Sequence, residues 1–131
     1  MKGFIGNIEK LTEQNESFRK VLYTAKHVQL VVMSLRPGED IGEEVHKLDQ
    51  FLRVESGNGV AIIDGVQHEI GAGSGVIVPA GARHNLMNTS QKGELKLYTI
   101  YGPPAHKDGT LRKTKVDATV QEEHFDGKTT E

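Results

Sequence analysis

The sequence predicts an all-β fold, a sandwich or barrel of short strands joined by tight turns. Glycine is unusually frequent, with 15 of the 131 residues, which is about 11% against a usual share of roughly 7%. Eleven of the 15 lie between Gly38 and Gly102, where short apolar segments alternate with turn residues. Short strands at this spacing are typical of antiparallel sandwiches and barrels. The length suits one domain, so we treat residues 1–131 as a single domain.

The composition excludes several classes of protein. Cysteine is absent, which excludes disulfide frameworks, thiolate metal sites and cysteine nucleophiles. The net charge of −2 is not that of a nucleic-acid binder, and no apolar run approaches the roughly 20 residues of a membrane span. No secretory segment is recognisable, so we expect a cytoplasmic protein. Residues 38–102 carry nine acidic and five basic residues, and a cation site is expected there.

The first 20 residues are predicted to form an N-terminal arm. Ile8, Leu11 and Phe18 would line part of a helix that starts after Asn7, but Asn15 interrupts the apolar stripe. The pattern therefore fits either a short helix or an irregular arm.

The barrel is assigned to residues 21–102. Residues 29–35 are apolar on both parities, which indicates a strand buried on two faces. Asp64 and Gly65 separate two strand-like segments and fit the type I′ turn of a tight hairpin. The remaining strands are expected between turn residues, over residues 45–55, 60–63, 66–70, 76–78 and 94–101.

Residues 103–131 are predicted to form a polar tail, because their apolar side chains are too sparse for a core. We expect this tail to pack partly against the barrel or a partner and to fray after about Glu123. Four histidines have no partner at metal-ligand spacing and are interpreted as surface residues: His27, His68, His106 and His124.

A metal site is predicted from four residues of the acidic middle segment. Glu44, His46 and Gln50 share parity and would project from one face of a regular strand. His84 follows the turn at residues 79–83, which could return it to the same cavity. One carboxylate, two imidazoles and an amide oxygen suit a divalent transition metal. The alternative is structural: a solvated Glu44–His46 pair, with Gln50 bonded to a turn and His84 capping a loop.

Two sequence motifs resemble those of the cupin superfamily. Residues 73–88 fit the second cupin motif, G(X)5PXG(X)2H(X)3N, at every specified position: Gly73, Pro79, Gly81, His84 and Asn88. The first motif, G(X)5HXH(X)3-4E(X)6G, aligns without gaps over residues 38–57. Glu44 replaces its first histidine and Gln50 replaces its glutamate, whereas His46 and both glycines match.

The resemblance implies a double-stranded β-helix barrel of the jelly-roll type, with a metal at its wide end. In the family alignment, the four ligand positions are occupied by Glu44, His46, Gln50 and His84. The resemblance also implies a homodimer. Phe51 alternates with Gln50 and is expected to point outward with Arg53, where an apolar patch would suit such an interface. The metal would be Fe, Mn, Ni or Zn.

The altered ligand set resembles that of type I phosphomannose isomerases and of small uronate-processing cupins, and both comparisons favour carbohydrate substrates. We interpret the protein as a small metalloenzyme that acts by Lewis-acid catalysis on a carbohydrate or similar polyoxygenated molecule, in an isomerase-like reaction. No general base is identified, although Tyr98 and Tyr101 differ in parity and at most one can face the cavity. Two alternatives stay open: a non-catalytic small-molecule-binding cupin, and a metal-dependent dioxygenase, which the missing third histidine disfavours.

Overall fold

Two antiparallel sheets enclose one hydrophobic core. The computed structural model describes residues 1–131, which form nine strands and two short helices: α1 (Ile8–Gln14), β1 (Arg19–Thr24), β2 (Gln29–Leu35), β3 (Asp49–Ser56), β4 (Asn58–Ile63), β5 (Val66–Gly71), β6 (Gly75–Val78), β7 (His84–Asn88), β8 (Leu95–Gly102), β9 (Leu111–Arg112) and α2 (Lys115–Val120). One sheet has the strand order β6-β3-β8-β2-β1-β9, and the other has the order β5-β4-β7. A cluster of 16 buried residues draws from both sheets. The predicted all-β jelly-roll barrel is confirmed.

The centre of the larger sheet follows from its hydrophobic pattern. β2 is buried along nearly its whole length, as its apolar residues on both parities predict. In β8, buried and partly buried residues alternate strictly, so one face enters the core. Tyr101 lies on that buried face, whereas Tyr98 lies on the opposite face, with its ring 6.3 Å from that of Phe51. The prediction that at most one of the two tyrosines faces the interior is confirmed.

The hairpin between β4 and β5 has the predicted turn. Asp64 has φ of 47° and Gly65 has φ of 82°, and Ile63 pairs with Val66 across the turn. Two successive residues with positive φ define a type I′ turn, whose twist matches that of the flanking strands.

A close backbone crossing explains one of the motif glycines. Gly57, between β3 and β4, has φ of +96°, and a Cβ placed on it would lie 2.4 Å from the carbonyl oxygen of Glu94. A side chain at this position would meet backbone, which cannot swing aside as a flexible side chain can. Glycine is therefore required at position 57, both for the left-handed backbone conformation and for the close approach of the two backbone segments.

The predictions for the two ends of the chain were partly wrong. α1 forms after Asn7, whose side chain caps it, so the helical alternative for the arm is the correct one. The tail does not fray after Glu123, because hydrogen bonds fasten it. Phe125 N–H donates to the carbonyl of Ala105 over 3.1 Å, and Thr130 N–H donates to that of Thr24 over 2.9 Å. These contacts could not be predicted, because backbone hydrogen bonds do not produce a hydrophobic pattern in the sequence.

Neither helix has the length and apolar character that crossing a membrane requires.

Candidate metal centre

Glu44 and His84 face each other across a short antiparallel bridge. The N–H of Glu44 donates to the carbonyl of His84, and the N–H of His84 donates to the carbonyl of Glu44, both over 2.9 Å. Such reciprocal bonds hold two residues directly opposite one another. His84 is the first residue of β7 and is buried, whereas Glu44 is exposed. The bridge thus fixes an accessible carboxylate beside a buried imidazole.

The imidazole of His46 lies against that of His84, with the ring centroids 4.6 Å apart in an edge-on arrangement. His46 Nδ1 lies 3.1 Å from the carbonyl oxygen of Leu48, and His84 Nδ1 lies 3.0 Å from that of Ala82. Because a carbonyl oxygen can only accept, both rings carry a proton on Nδ1. In the neutral rings, each Nε2 therefore has a free lone pair, as is usual for metal-binding histidines.

Gln50, a buried residue of β3, reaches the same point. Its amide nitrogen donates to Thr99 Oγ1 over 2.9 Å, and its amide oxygen lies 3.1 Å from His46 Nε2. With His46 neutral, this contact brings two acceptors together without a hydrogen between them. Two atoms that bind one ion at about 2.1 Å and at right angles stand about 3 Å apart. The contact therefore fits a pair of ligands to one cation.

The ligand atoms converge on one region. Those of Glu44, His46 and His84 all lie within 4.8 Å of one another. Nitrogen and oxygen donors of this kind suit Fe, Mn, Ni or Zn, and the carboxylate would compensate one of the charges of a divalent ion. The residues present therefore fit a divalent transition metal.

The structure brings the four predicted residues together, but Glu44, His46 and Gln50 do not lie on one regular strand. A regular strand through these three residues would align their side chains by parity, whereas β3 begins at Asp49 and Glu44 and His46 precede it. The N–H of Gly81 donates to the carbonyl of His46 over 2.9 Å. This bond and the Glu44–His84 bridge hold the irregular segment against the turn before β7. The strand predicted over residues 45–55 forms, but its predicted start was wrong, because these contacts come from a distant part of the chain.

The asparagine of the second motif has a structural role. Asn88 Nδ2 donates to the carbonyls of Leu35 and Gly93, both over 2.9 Å, and Asn88 Oδ1 accepts from the N–H of Ser90 over 2.9 Å. The side chain closes the turn between β7 and β8.

Comparisons with known proteins identify the family of this chain. Residues 31–101 match the Cupin_2 family of cupin domains. The chain belongs to the cupin family. Protein YrkC of Bacillus subtilis strain 168 is 45% identical over 129 residues, which cover 93% of this chain and 69% of YrkC. The crystal structure of BH2720 from Bacillus halodurans is 42% identical and matches with a TM-score of 0.89, over 92% of this chain and 96% of that one.

A cavity of about 420 Å³ extends from the candidate metal ligands of this cupin to its C-terminal segment. Tyr101 lies in its wall, with ring centroids 6.4 Å from His46 and 5.3 Å from His106. Burial raises the pKa of Tyr101 to about 12. Its hydroxyl is therefore protonated at neutral pH, so it can donate a hydrogen bond to a bound molecule but cannot serve as a base.

The prediction that His106 is a surface residue was wrong. His106 is partly buried in the cavity wall beside Tyr101, and exposed His124 lies at the same cavity. Burial, with a smaller contribution from the charge of Arg19, lowers the pKa of His106 to about 3, so the ring is neutral at physiological pH. His27 and His68 are exposed, as expected.

Helix α2, which was not predicted from the sequence, forms part of this wall. A local signal was available, because Thr114 is followed three residues later by Asp117, and such a pair is typical of a helix N-terminus. Thr114 Oγ1 accepts from the N–H of Asp117 over 3.1 Å. No comparable signal predicts that the helix packs over the cavity.

Gln29 holds the segment that carries His106. Its amide nitrogen donates to Thr24 Oγ1 over 2.9 Å and to the His106 carbonyl over 2.8 Å. Its amide oxygen accepts from the N–H groups of Ala105, over 3.1 Å, and His106, over 2.9 Å. The buried side chain thereby uses its whole hydrogen-bonding capacity.

Replacing Gln29 by leucine should lower the free energy of unfolding by about 3 kcal/mol, because several buried polar groups lose their partner. Denaturant unfolding would measure the loss. Gln67→Leu, on the exposed part of β5, is the matched control and should change the free energy by less than about 0.5 kcal/mol. A loss below about 1 kcal/mol for Gln29→Leu would mean that the hydrogen bonds of the Gln29 side chain do not hold the cavity wall.

Proposed function

We propose that this cupin binds a divalent transition metal through Glu44, His46, Gln50 and His84. We further propose that it uses the metal as a Lewis acid on a carbohydrate or similar polyoxygenated small molecule, in an isomerase-like reaction. The observation that carries the proposal is the convergence of three ionisable ligand groups within 4.8 Å of one another, at a cavity of about 420 Å³.

Each ligand has a distinct part in the proposed centre. Glu44 supplies the negative charge, His46 and His84 bind through Nε2, and Gln50 binds through its amide oxygen. When bound, the metal would polarise a substrate carbonyl and acidify the neighbouring C–H group. Adjacent oxygens of a substrate would bind at the coordination positions that the four protein ligands leave free.

The residues around the proposed centre would limit the access of water to the metal and orient the substrate. On the inner side of the ligands, the barrel is apolar and is lined by Leu52, Ala61, Val78 and Leu86. Such a shell limits the access of solvent to a metal site. On the cavity side, the protonated hydroxyl of Tyr101 is available to donate a hydrogen bond to a substrate oxygen.

The ligand types favour Lewis-acid chemistry over oxygen chemistry. Gln50 is a neutral and weaker donor than the glutamate of the usual motif, and Glu44 restores the negative charge at the position of the first histidine. This set therefore supports an ion that polarises a bound oxygen more than one that changes oxidation state.

Proton exchange with solvent tests the proposed reaction. Protein loaded separately with Fe²⁺, Mn²⁺, Ni²⁺ and Zn²⁺ would be incubated in D₂O with a panel of aldoses and ketoses. NMR should show deuterium at the carbon next to the carbonyl of at least one sugar, with at least one metal. His68→Ala, a substitution at an exposed site, should exchange at the wild-type rate. Sugar binding with exchange no faster than for the free metal would instead support a non-catalytic binding protein.

A further inference from the structure

Arg19, at the start of β1, lines the cavity without a carboxylate partner. Its Nε is buried and has no hydrogen-bond partner, and its guanidinium forms no ion pair within 4.0 Å. By contrast, three other arginines pair with glutamates: Arg53, Arg83 and Arg112. The residue as a whole is half-buried. A buried donor without a partner is costly, so this arrangement requires an explanation.

Packing holds Arg19 in the cavity wall. The guanidinium carbon lies 5.4 Å from the centroid of the Phe18 ring, a cation–π distance. Phe18 belongs to the hydrophobic core and is 3% exposed, so it offers a rigid support. Beside the larger effect of burial, the charge of Arg19 acts to lower the pKa of both Tyr101 and His106. The guanidinium therefore acts electrostatically on the same wall that leads to the candidate metal ligands.

No carboxylate of the cavity forms an ion pair with Arg19. Lys115 pairs with Asp40. Glu123 pairs with Arg112 through one oxygen, and its other oxygen is buried without a hydrogen-bond partner. Glu44 would compensate one charge of a divalent ion, and the remaining charge would add to that of Arg19. Glu122 also borders the cavity, but it is exposed to solvent, where its charge is screened. A bound anion would therefore meet two positive centres in one cavity.

We propose that the cavity binds a small anionic molecule, whose carboxylate or phosphate group pairs with Arg19 while a hydroxyl or carbonyl oxygen faces the metal ligands. A guanidinium presents a planar fork of donors that matches either group. The inference rests on the proposed metal centre and narrows its substrates from polyoxygenated molecules in general to organic acids and phosphate esters.

Three probes that share one carbon frame test this inference: gluconate, glucose 6-phosphate and glucose. Calorimetric titration of the metal-loaded full chain should show at least one of the two anions binding at least tenfold more tightly than neutral glucose. Preference for gluconate would identify the carboxylate class, and preference for glucose 6-phosphate would identify the phosphate class.

Variants of Arg19 should separate recognition from folding. Arg19→Gln should weaken binding of the preferred anion at least tenfold and leave the affinity for glucose unchanged. Arg19→Lys keeps the charge but loses the planar fork, so its loss should be intermediate. Arg36→Gln, at an exposed position outside the cavity, makes the same change in charge and should bind every probe as the wild type does. Arg19→Gln should also keep its metal content and lose little melting temperature, because the side chain forms no ion pair, its Nε has no hydrogen-bond partner and only the contact with the Phe18 ring is lost.

Two outcomes would overturn the inference and leave the metal centre intact. One is equal affinity, or no binding, for the three probes in a protein that holds one metal ion per chain. The other is unchanged anion affinity in both Arg19→Gln and Arg19→Lys. Failure of the wild-type protein to take up any metal would overturn the proposed function and this inference together.

Discussion

Replacing His84 by alanine should abolish metal binding by the purified protein. His84 is fixed opposite Glu44 by two backbone hydrogen bonds, and its Nε2 is the buried nitrogen ligand of the proposed centre. A metal at one hundred times its Kd stabilises a folded protein by about 2.7 kcal/mol, which is on the order of 10 °C in Tm for a domain of this size. Elemental analysis and thermal unfolding with added Zn²⁺ or Ni²⁺ would measure both effects.

Two further variants make this result interpretable. His68→Ala, on the exposed part of β5, is the matched control and should keep one metal ion per chain with the full thermal shift. His46→Ala removes a less buried ligand, so it should lose the metal even if His84→Ala also weakens the fold. Full metal retention in a folded His84→Ala or His46→Ala protein would contradict the assignment of that residue.

Replacing Gly57 by alanine should cost about 3 kcal/mol or more in the free energy of unfolding. An alanine at φ of +96° is strained by about 1–2 kcal/mol. Its Cβ would also lie 2.4 Å from the Glu94 carbonyl oxygen and 2.9 Å from Leu95 Cα, and such overpacking costs about 1–3 kcal/mol more. Urea denaturation would measure the loss.

Gly73→Ala separates the two causes. Gly73 has φ of +89°, close to that of Gly57, but a Cβ placed on it would meet nothing within 4 Å. Its replacement should therefore cost about 1–2 kcal/mol from the backbone conformation alone. Equal losses at the two positions would show that the close approach to β8 has no effect on stability.

Local patterns predicted the parts of the fold that depend on local chemistry. The type I′ hairpin at Asp64 and Gly65, and the doubly buried β2, follow from turn residues and hydrophobic periodicity. β1 pairs with the neighbouring β2 but was not predicted, because a register shift between Val21 and Tyr23 breaks the alternation of its buried residues. β9 has only two residues, and it pairs with Arg19 and Lys20 across most of the sequence. The anchoring of Thr130 to Thr24 was not predicted either, since backbone hydrogen bonds between distant segments carry no signature in side-chain pattern.

In the candidate site, too, the features that depend on local sequence were predicted and those that depend on distant segments were not. The four proposed ligands lie within the two motif segments, so the spacing could predict that they meet. The prediction that one regular strand carries Glu44 and His46 was wrong, because long-range hydrogen bonds hold these two residues in an irregular segment. Arg19 and His106 were missed because they reach the cavity from the arm and the tail. The cavity wall therefore depends on segments that the motifs do not include.

Anomalous diffraction at the metal absorption edge, from crystals of the metal-loaded protein, tests the central claim most directly. We expect one peak per chain, at about 2.0–2.2 Å from a carboxylate oxygen of Glu44, from Nε2 of His46 and His84 and from the amide oxygen of Gln50. A protein without such a peak, or with the metal bound at other residues, would contradict the assignment of these four residues as the metal ligands.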